Sequence, residues 1–152
     1  MSFQFKALTE DHEWNWIAAR AHPLRCADSQ GLVAYDDNGI IQAVCVMDSW
    51  TPDTCQVHFA IDNKFVIRGG FLNEIARHCF VTCGRKRIFG LVPSNNDRAI
   101  RLDRHIGFTE VARVPHGYSE GVDYIVFGMD KADCRWLNSP KTEAEHVKQR
   151  AA

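Results

Sequence analysis

The chain has 152 residues, 45% of them hydrophobic and 24% charged, enough for one domain with its own core and too apolar for intrinsic disorder. Its 18 Lys and Arg against 19 Asp and Glu give a net charge of -1, which removes any global argument for nucleic acid or an anionic membrane as partner. No apolar run approaches the roughly 18 residues of a membrane span, and the start is not a basic leader followed by an apolar stretch.

A cytoplasmic protein is therefore expected. The six cysteines, Cys26, Cys45, Cys55, Cys79, Cys83 and Cys134, sit mostly inside apolar runs such as Val44-Cys45-Val46. They read as buried free thiols in a reducing compartment.

In chain order, Phe3 and Phe5 alternate with Gln4 and Lys6 as in a strand. Thr9-Glu10-Asp11 then caps a helix running to Arg20, which Pro23 ends. Leu32 to Tyr35 is a strand closed by Asp36-Asp37-Asn38-Gly39, a hairpin signal that makes Ile40 to Trp50 the returning strand. Beyond the turn at Thr51-Pro52-Asp53, Cys55, Val57, Phe59 and Ile61 alternate with Gln56, His58, Ala60 and Asp62 along a fourth strand.

From Gly70 to Cys83 the spacing becomes helical, with Phe71, Leu72, Ile75, Ala76, Cys79, Phe80 and Cys83 on one stripe and Asn73, Glu74, Arg77 and His78 off it. Gly84 is its stop signal. Arg87 to Val92 is a short strand, and Pro93 to Asp97 supplies the cap for a helix through Ala99, Ile100, Leu102 and Ile106 that ends at Gly107. Two last strands, Phe108 to Val114 and Tyr124 to Met129, flank a loop from Pro115 to Gly121.

Residues 1–138 are expected to form a single domain, followed by a polar, loosely held tail from 139 to 152. The element order predicts an α/β protein with a mixed, mostly antiparallel sheet covered by helices. Its one parallel pair joins Asp53–Asp62 to Arg87–Val92 through a helix.

The run Asn96-Asp97-Arg98-Ala99-Ile100-Arg101-Leu102-Asp103-Arg104-His105-Ile106-Gly107-Phe108 resembles the second conserved segment of the GCN5-related N-acetyltransferases: Asn-x-x-Ala, an amphipathic helix, then Gly-Phe. The order of elements over almost the whole chain is also that family's order. The resemblance implies that acetyl-CoA lies between the fourth and fifth strands, its pantetheine amides pairing with the backbone of Phe59, Ala60 and Ile61 like an added strand. Asn96 matches the residue that bonds the pantetheine arm, and it would serve equally as a helix cap.

The pyrophosphate would sit at the start of the next helix, where Arg68-Gly69-Gly70-Phe71 stands in shortened form for the family's Arg/Gln-x-x-Gly-x-Gly/Ala. Read without the family, the same residues are a turn that begins a helix. Arg85, Lys86, Arg87, Arg98, Arg101 and Arg104 outnumber nearby acids and could support an anionic cofactor or be a solvated face; a nucleic-acid role for them is disfavoured by the neutral whole.

Acetyl transfer to an amine needs a deprotonated nucleophile, donors for the oxyanion and a proton for the leaving thiolate. The family's usual acidic base and tyrosine acid are both missing: the fourth strand reads Cys55-Gln56-Val57-His58, and Asp103 occupies the position of the tyrosine. His58 is the candidate base, its ordinary pKa near 6.5 suiting the task, although strand parity turns it away from Cys55, Val57 and Phe59. Tyr118 in the last loop is the candidate acid, an exposed loop tyrosine being the alternative.

Zinc binding by Cys55, His58, His78, Cys79 and Cys83 is set aside because Cys79 and Cys83 lie on the apolar stripe and no paired Cys-x-x-Cys is present. Trp14, Trp16, Trp50 and Trp136 could line an acceptor pocket or anchor the core. The expectation is an acetyl-CoA-dependent N-acetyltransferase acting on an amine, with a non-catalytic CoA-binding or protein-interaction module as the alternative; a homodimer is left open.

Overall fold

A computed structural model describes residues 2–137 of the chain; the expected tail lies outside the described residues. Seven strands form one sheet in the order β1-β2-β3-β4-β5-β7-β6. The first four, β1 (Gln4–Ala7), β2 (Gln30–Tyr35), β3 (Ile41–Asp48) and β4 (Thr54–Ile61), make the antiparallel run that the turn signals predict. At the β2–β3 turn Gly39 takes φ 75° and the Asp36 carboxylate accepts the Asn38 and Ile40 amides at 2.8 and 3.0 Å.

After β4 the chain crosses over through helices and returns as β5 (Arg87–Pro93), parallel to β4. β7 (Val122–Asp130) pairs antiparallel with β5 along the whole of β5, and β6 (Thr109–Ser119) forms the far edge.

Alternation along the strands builds two cores. On one face α1 (Asp11–Ala18) covers Val33, Ile41, Val44, Val46 and Ala60 with Trp14 and Ile17. Its start is tied by Glu13, whose Oε1 accepts the Thr9 and Glu10 amides at 3.0 and 2.8 Å. On the other face the helices between β4 and β5, together with α4 (Asp97–Ile106), enclose the larger cluster of Cys55, Val57, Phe71, Phe80, Ile106 and Phe127. The tryptophans divide between these faces, Trp14 and Trp16 on one and Trp50 and Trp136 on the other, so they do not form a single pocket. All six cysteines are free, and Cys45, Cys55, Cys79 and Cys134 are buried.

Two elements differ from expectation. The single helix expected over 70–83 is a one-turn α2 (Phe65–Arg68), then α3 (Phe71–Ala76), which widens into a π-helical turn over Arg77–Thr82. Asn73, expected off the stripe, is buried because its Nδ2 donates to the Trp136 carbonyl at 2.8 Å. Trp136 Nε1 donates in turn to the Ile106 carbonyl at 2.8 Å, so the segment after β7 straps α3 to the end of α4.

The loop expected over 115–121 is mostly strand, with only Glu120 and Gly121 between β6 and β7. Pro115 lacks an N–H, and the register shifts between Val114 and Ser119. Side-chain bonds bridge the irregularity: the His116 amide donates to Asp123 at 3.0 Å and His116 Nδ1 accepts the Gly121 amide at 2.8 Å.

Candidate active site

β4 and β5 stay together for three rungs only, Thr54 with Arg87, Cys55 with Ile88 and Gln56 with Phe89. Beyond that point each strand keeps its outer partner, β3 for β4 and β7 for β5. Between Val57–Ile61 and Gly90–Pro93 there is no rung, so a wedge opens in mid-sheet with backbone polar groups along both edges. Gly90 stands at its apex: a Cβ there would lie 3.7 Å from the Val57 carbonyl oxygen and 3.8 Å from Asp103 Oδ2.

Three side chains approach this apex from opposite faces. On the α1 face His58 Nε2 lies 3.0 Å from Asp48 Oδ2, with Asp48 only 6% exposed. The pair is diagonal across β3 and β4, where Val46 faces His58 and Asp48 faces Gln56. A neutral ring donating from Nε2 to the carboxylate keeps its lone pair on Nδ1.

On the other face Asp103 points inward from α4 and is 8% exposed. Its carboxyl makes no hydrogen bond or ion pair among the described residues, and burial alone pushes its pKa up to about 7.

The other expected site residues fall into three groups. Phe59, Ala60 and Ile61 form the open edge of β4, with Ala60 buried and the Phe59 ring edge-on to Phe108 at 6.2 Å. Asn96 caps α4 by accepting the Ala99 amide on Oδ1 at 3.2 Å, at the end of β5 that borders the wedge.

Arg68 is exposed at the end of α2, but Gly69 and Gly70 are used for packing on their side-chain side. A Cβ on Gly69 would lie 2.8 Å from the Phe3 ring, while Gly70 is buried at φ 102° with Phe5 3.8 Å from its Cβ position. Phe71 is fully buried against Phe5.

Tyr118 is not brought to the apex. It lies on the end of β6, 56% exposed and edge-on to Tyr124, which is level with Pro93, three rungs past Gly90. The basic stretch is also divided: Lys86 and Arg87 pair with Asp53 and Asp130 near the start of β5, while Arg98 and Arg101 stand on α4 beyond its other end. Cys55 and His58 are on opposite faces of β4, and Cys55 Sγ instead lies 3.8 Å from Cys79 Sγ in the core.

A separate concavity of about 360 Å³ lies between β2 and the π-helical turn, lined by Gln30, Gly31, Met47, Arg77 and His78. Burial, then the charge of Arg77, lowers the His78 pKa, and the Arg77–Glu74 pair at 2.6 Å is largely self-neutralising. No strand opening leads the chemistry there.

Sequence reasoning passes over Asp48 and notes Asp103 only as a departure from the family. The signal for Asp103 is present: it falls four residues after Ala99 and three before Ile106, which places a carboxylate on the apolar stripe of α4. For Asp48 only strand register reveals the contact.

No protein-family model and no curated protein matches the sequence. Solved structures do match. The spermidine/spermine N-acetyltransferase SpeG from Vibrio cholerae superposes with a TM-score of 0.70 over 90% of this chain and 96% of that one, at 12% identity. A candidate acetyltransferase of the GNAT family from Desulfovibrio desulfuricans gives 0.67 over 86% and 99%, at 12% identity. A candidate phosphinothricin N-acetyltransferase gives 0.61 over 85% and 98%, at 18% identity. This chain has their fold, the acyl-CoA N-acyltransferase fold of the GCN5-related N-acetyltransferases.

Proposed function

We propose that the protein is an N-acetyltransferase that moves the acetyl group of acetyl-CoA to an amine by direct attack in a ternary complex. The observation that carries this reading is the mid-sheet wedge with a histidine–carboxylate pair on one face of its apex and a buried carboxyl on the other. The open edge of β4 at Phe59, Ala60 and Ile61 offers the pantetheine amides a strand partner, and the Asn96 side chain borders the same opening. Arg68, with the backbone from Gly69 to Phe71, is the proposed partner of the pyrophosphate; its support is the exposure of Arg68, since packing already accounts for the two glycines.

His58 takes the amine proton on Nδ1, directly or through one water, while Asp48 fixes the ring and stabilises the charge it acquires. On this reading the base lies on the face opposite Asp103, since parity turns His58 away from the larger core. Free thiols at all six cysteines support a reducing, cytoplasmic setting.

Thiol release from acetyl-CoA across polyamines, amino acids, aminoglycosides and peptides tests the reading, with His58→Gln alongside. We expect at least one amine class to be acetylated. The variant should lose about 100-fold in kcat/KM at unchanged acetyl-CoA affinity. CoA binding without thiol release for any amine would favour a non-catalytic CoA-binding module, the reading suggested by the shortened Arg68-Gly69-Gly70 segment.

A further inference from the structure

On the α1 side of the sheet, cover stops at β4. Among the described residues, the cluster beneath α1 draws on β2, β3 and β4 and takes nothing from β5, β6 or β7. On that face of β5 and β7 stand Phe89, Leu91, Tyr124 and Val126, with Val114 beside them on β6. The residues alternating with them, Ile88, Val92, Ile125 and Phe127, fill the larger core, whereas these five belong to neither core. Leu91 is 42% exposed and Val114 48%, and the Tyr118 ring closes the far end, edge-on to Tyr124 at 5.6 Å. Apolar side chains gathered on a bare face mark a binding surface.

This face begins at the proposed base. Gln56 and Phe89 form the last rung between β4 and β5, so two residues further on His58 and Leu91 stand level across the wedge, on the same face. The His58 side chain is 21% exposed, so a solute can reach it.

Charge narrows the occupant. Among the described residues of β5, β6 and β7, the charged groups on this face are Arg87 and Asp130, which pair with each other at 3.0 Å at the start of β5. Glu110, Arg113 and Asp123 alternate onto the other face and pair there. A second ammonium on an acceptor would therefore lie against apolar side chains with no carboxylate to take it. The tail is a poor cover for the same face: Trp136 and Leu137 pack on the opposite side, and Val147 is the one large apolar residue of 139–152.

We infer that the acceptor is a monoamine with an apolar body of aromatic size, its amine at His58 and its body on Leu91, Val126 and Tyr124. The inference rests on the acetyltransferase reading above and on His58 as its base, and it adds the class of acceptor. Leu91 is the residue that sets specificity, because it stands beside the base where the body of the amine must pass. An apolar body gains by leaving water there; a polar or doubly charged amine does not.

The test measures thiol release from acetyl-CoA with phenethylamine, ethanolamine and spermidine, on the natural protein and on Leu91→Glu and Leu91→Ala. Leu91 lies outside both cores, so both variants should fold and bind acetyl-CoA as the natural protein does, which thermal unfolding checks. For the natural protein, phenethylamine should exceed the other two by about 100-fold in kcat/KM, mostly through KM. Leu91→Glu should lower phenethylamine by about 10-fold and raise spermidine, since a carboxylate now stands where the second ammonium falls. Leu91→Ala should lower phenethylamine alone, by about 10-fold. A merely structural role for Leu91 would lower all three amines together.

Equal use of the three amines by the natural protein, or an equal fall of all three in the variants, overturns the inference and leaves the acetyltransferase reading standing. A natural dimer that Leu91→Glu splits into monomers in sedimentation assigns the face to a second copy and overturns it too. Binding of acetyl-CoA with no thiol release for any amine overturns both.

Discussion

The Asp103 carboxyl ties stability to pH. Its pKa of about 7 in the folded chain stands above the ordinary aspartate value of 3.8, so between those limits the native state binds more protons than the unfolded one. Stability is then full below the lower value, falls as pH rises through the window, and levels off above about 7. Asn at this position cannot titrate, so Asp103→Asn should match the natural protein in urea melts near pH 4 and exceed it at pH 8 by on the order of a few kcal/mol. Equal stability at both pH values would mean that the carboxyl is not held in an apolar setting.

At Asp48 the expectation is different. Asp48→Asn keeps an acceptor for the His58 ring but removes the carboxylate that holds it, so, if His58 is the base, turnover should fall by about 10- to 100-fold at unchanged acetyl-CoA affinity. Among single residues, the Asn96 helix cap is legible from residue type and position. Asp48 is not, because a diagonal contact between strands exists only once their register is set.

Among the elements, α4 is written in the sequence almost completely: Asn96 accepts the Ala99 amide, Gly107 takes φ 117°, and the apolar residues repeat at helical spacing between them. The β2–β3 hairpin is equally plain from its Asn-Gly. The crossover after β4 is harder to read, because the stripe from Phe71 to Phe80 is the same whether the last turn is α or π, and because Gly69 and Gly70 look like a phosphate loop while Phe3 and Phe5 already explain them.

Substitutions separate those two roles. Gly70→Ala, at φ 102°, should cost roughly 1–2 kcal/mol of stability, whereas Arg68→Ala should weaken CoA binding of the folded protein. Binding unaffected by Arg68→Ala would move the pyrophosphate elsewhere on the rim of the wedge. The extension of β6 through Pro115 was also beyond sequence reading, since its pairing is restored by the His116 and Asp123 side chains rather than by backbone alternation.

For the whole molecule, the order of strands and helices predicts the mixed sheet, and the helical crossover between β4 and β5 makes its parallel pair, whereas the helix between β1 and β2 returns the chain antiparallel. What order alone does not give is the length of that pairing. Three rungs followed by separation turn an ordinary crossover into an opening in mid-sheet, with the His58–Asp48 pair on one face of the sheet and the Asp103 carboxyl on the other. The centre of the account is that acetyl-CoA occupies this opening.

Thermal unfolding with added acetyl-CoA, on the natural protein and on Gly90→Val, tests that directly. The valine fills the space between the Val57 carbonyl and Asp103 without straining a strand residue. The account predicts stabilisation of about 2.7 kcal/mol at ~100 times Kd for the natural protein, and little or none for the variant. No stabilisation of the natural protein at millimolar acetyl-CoA, or equal stabilisation of both, would contradict it.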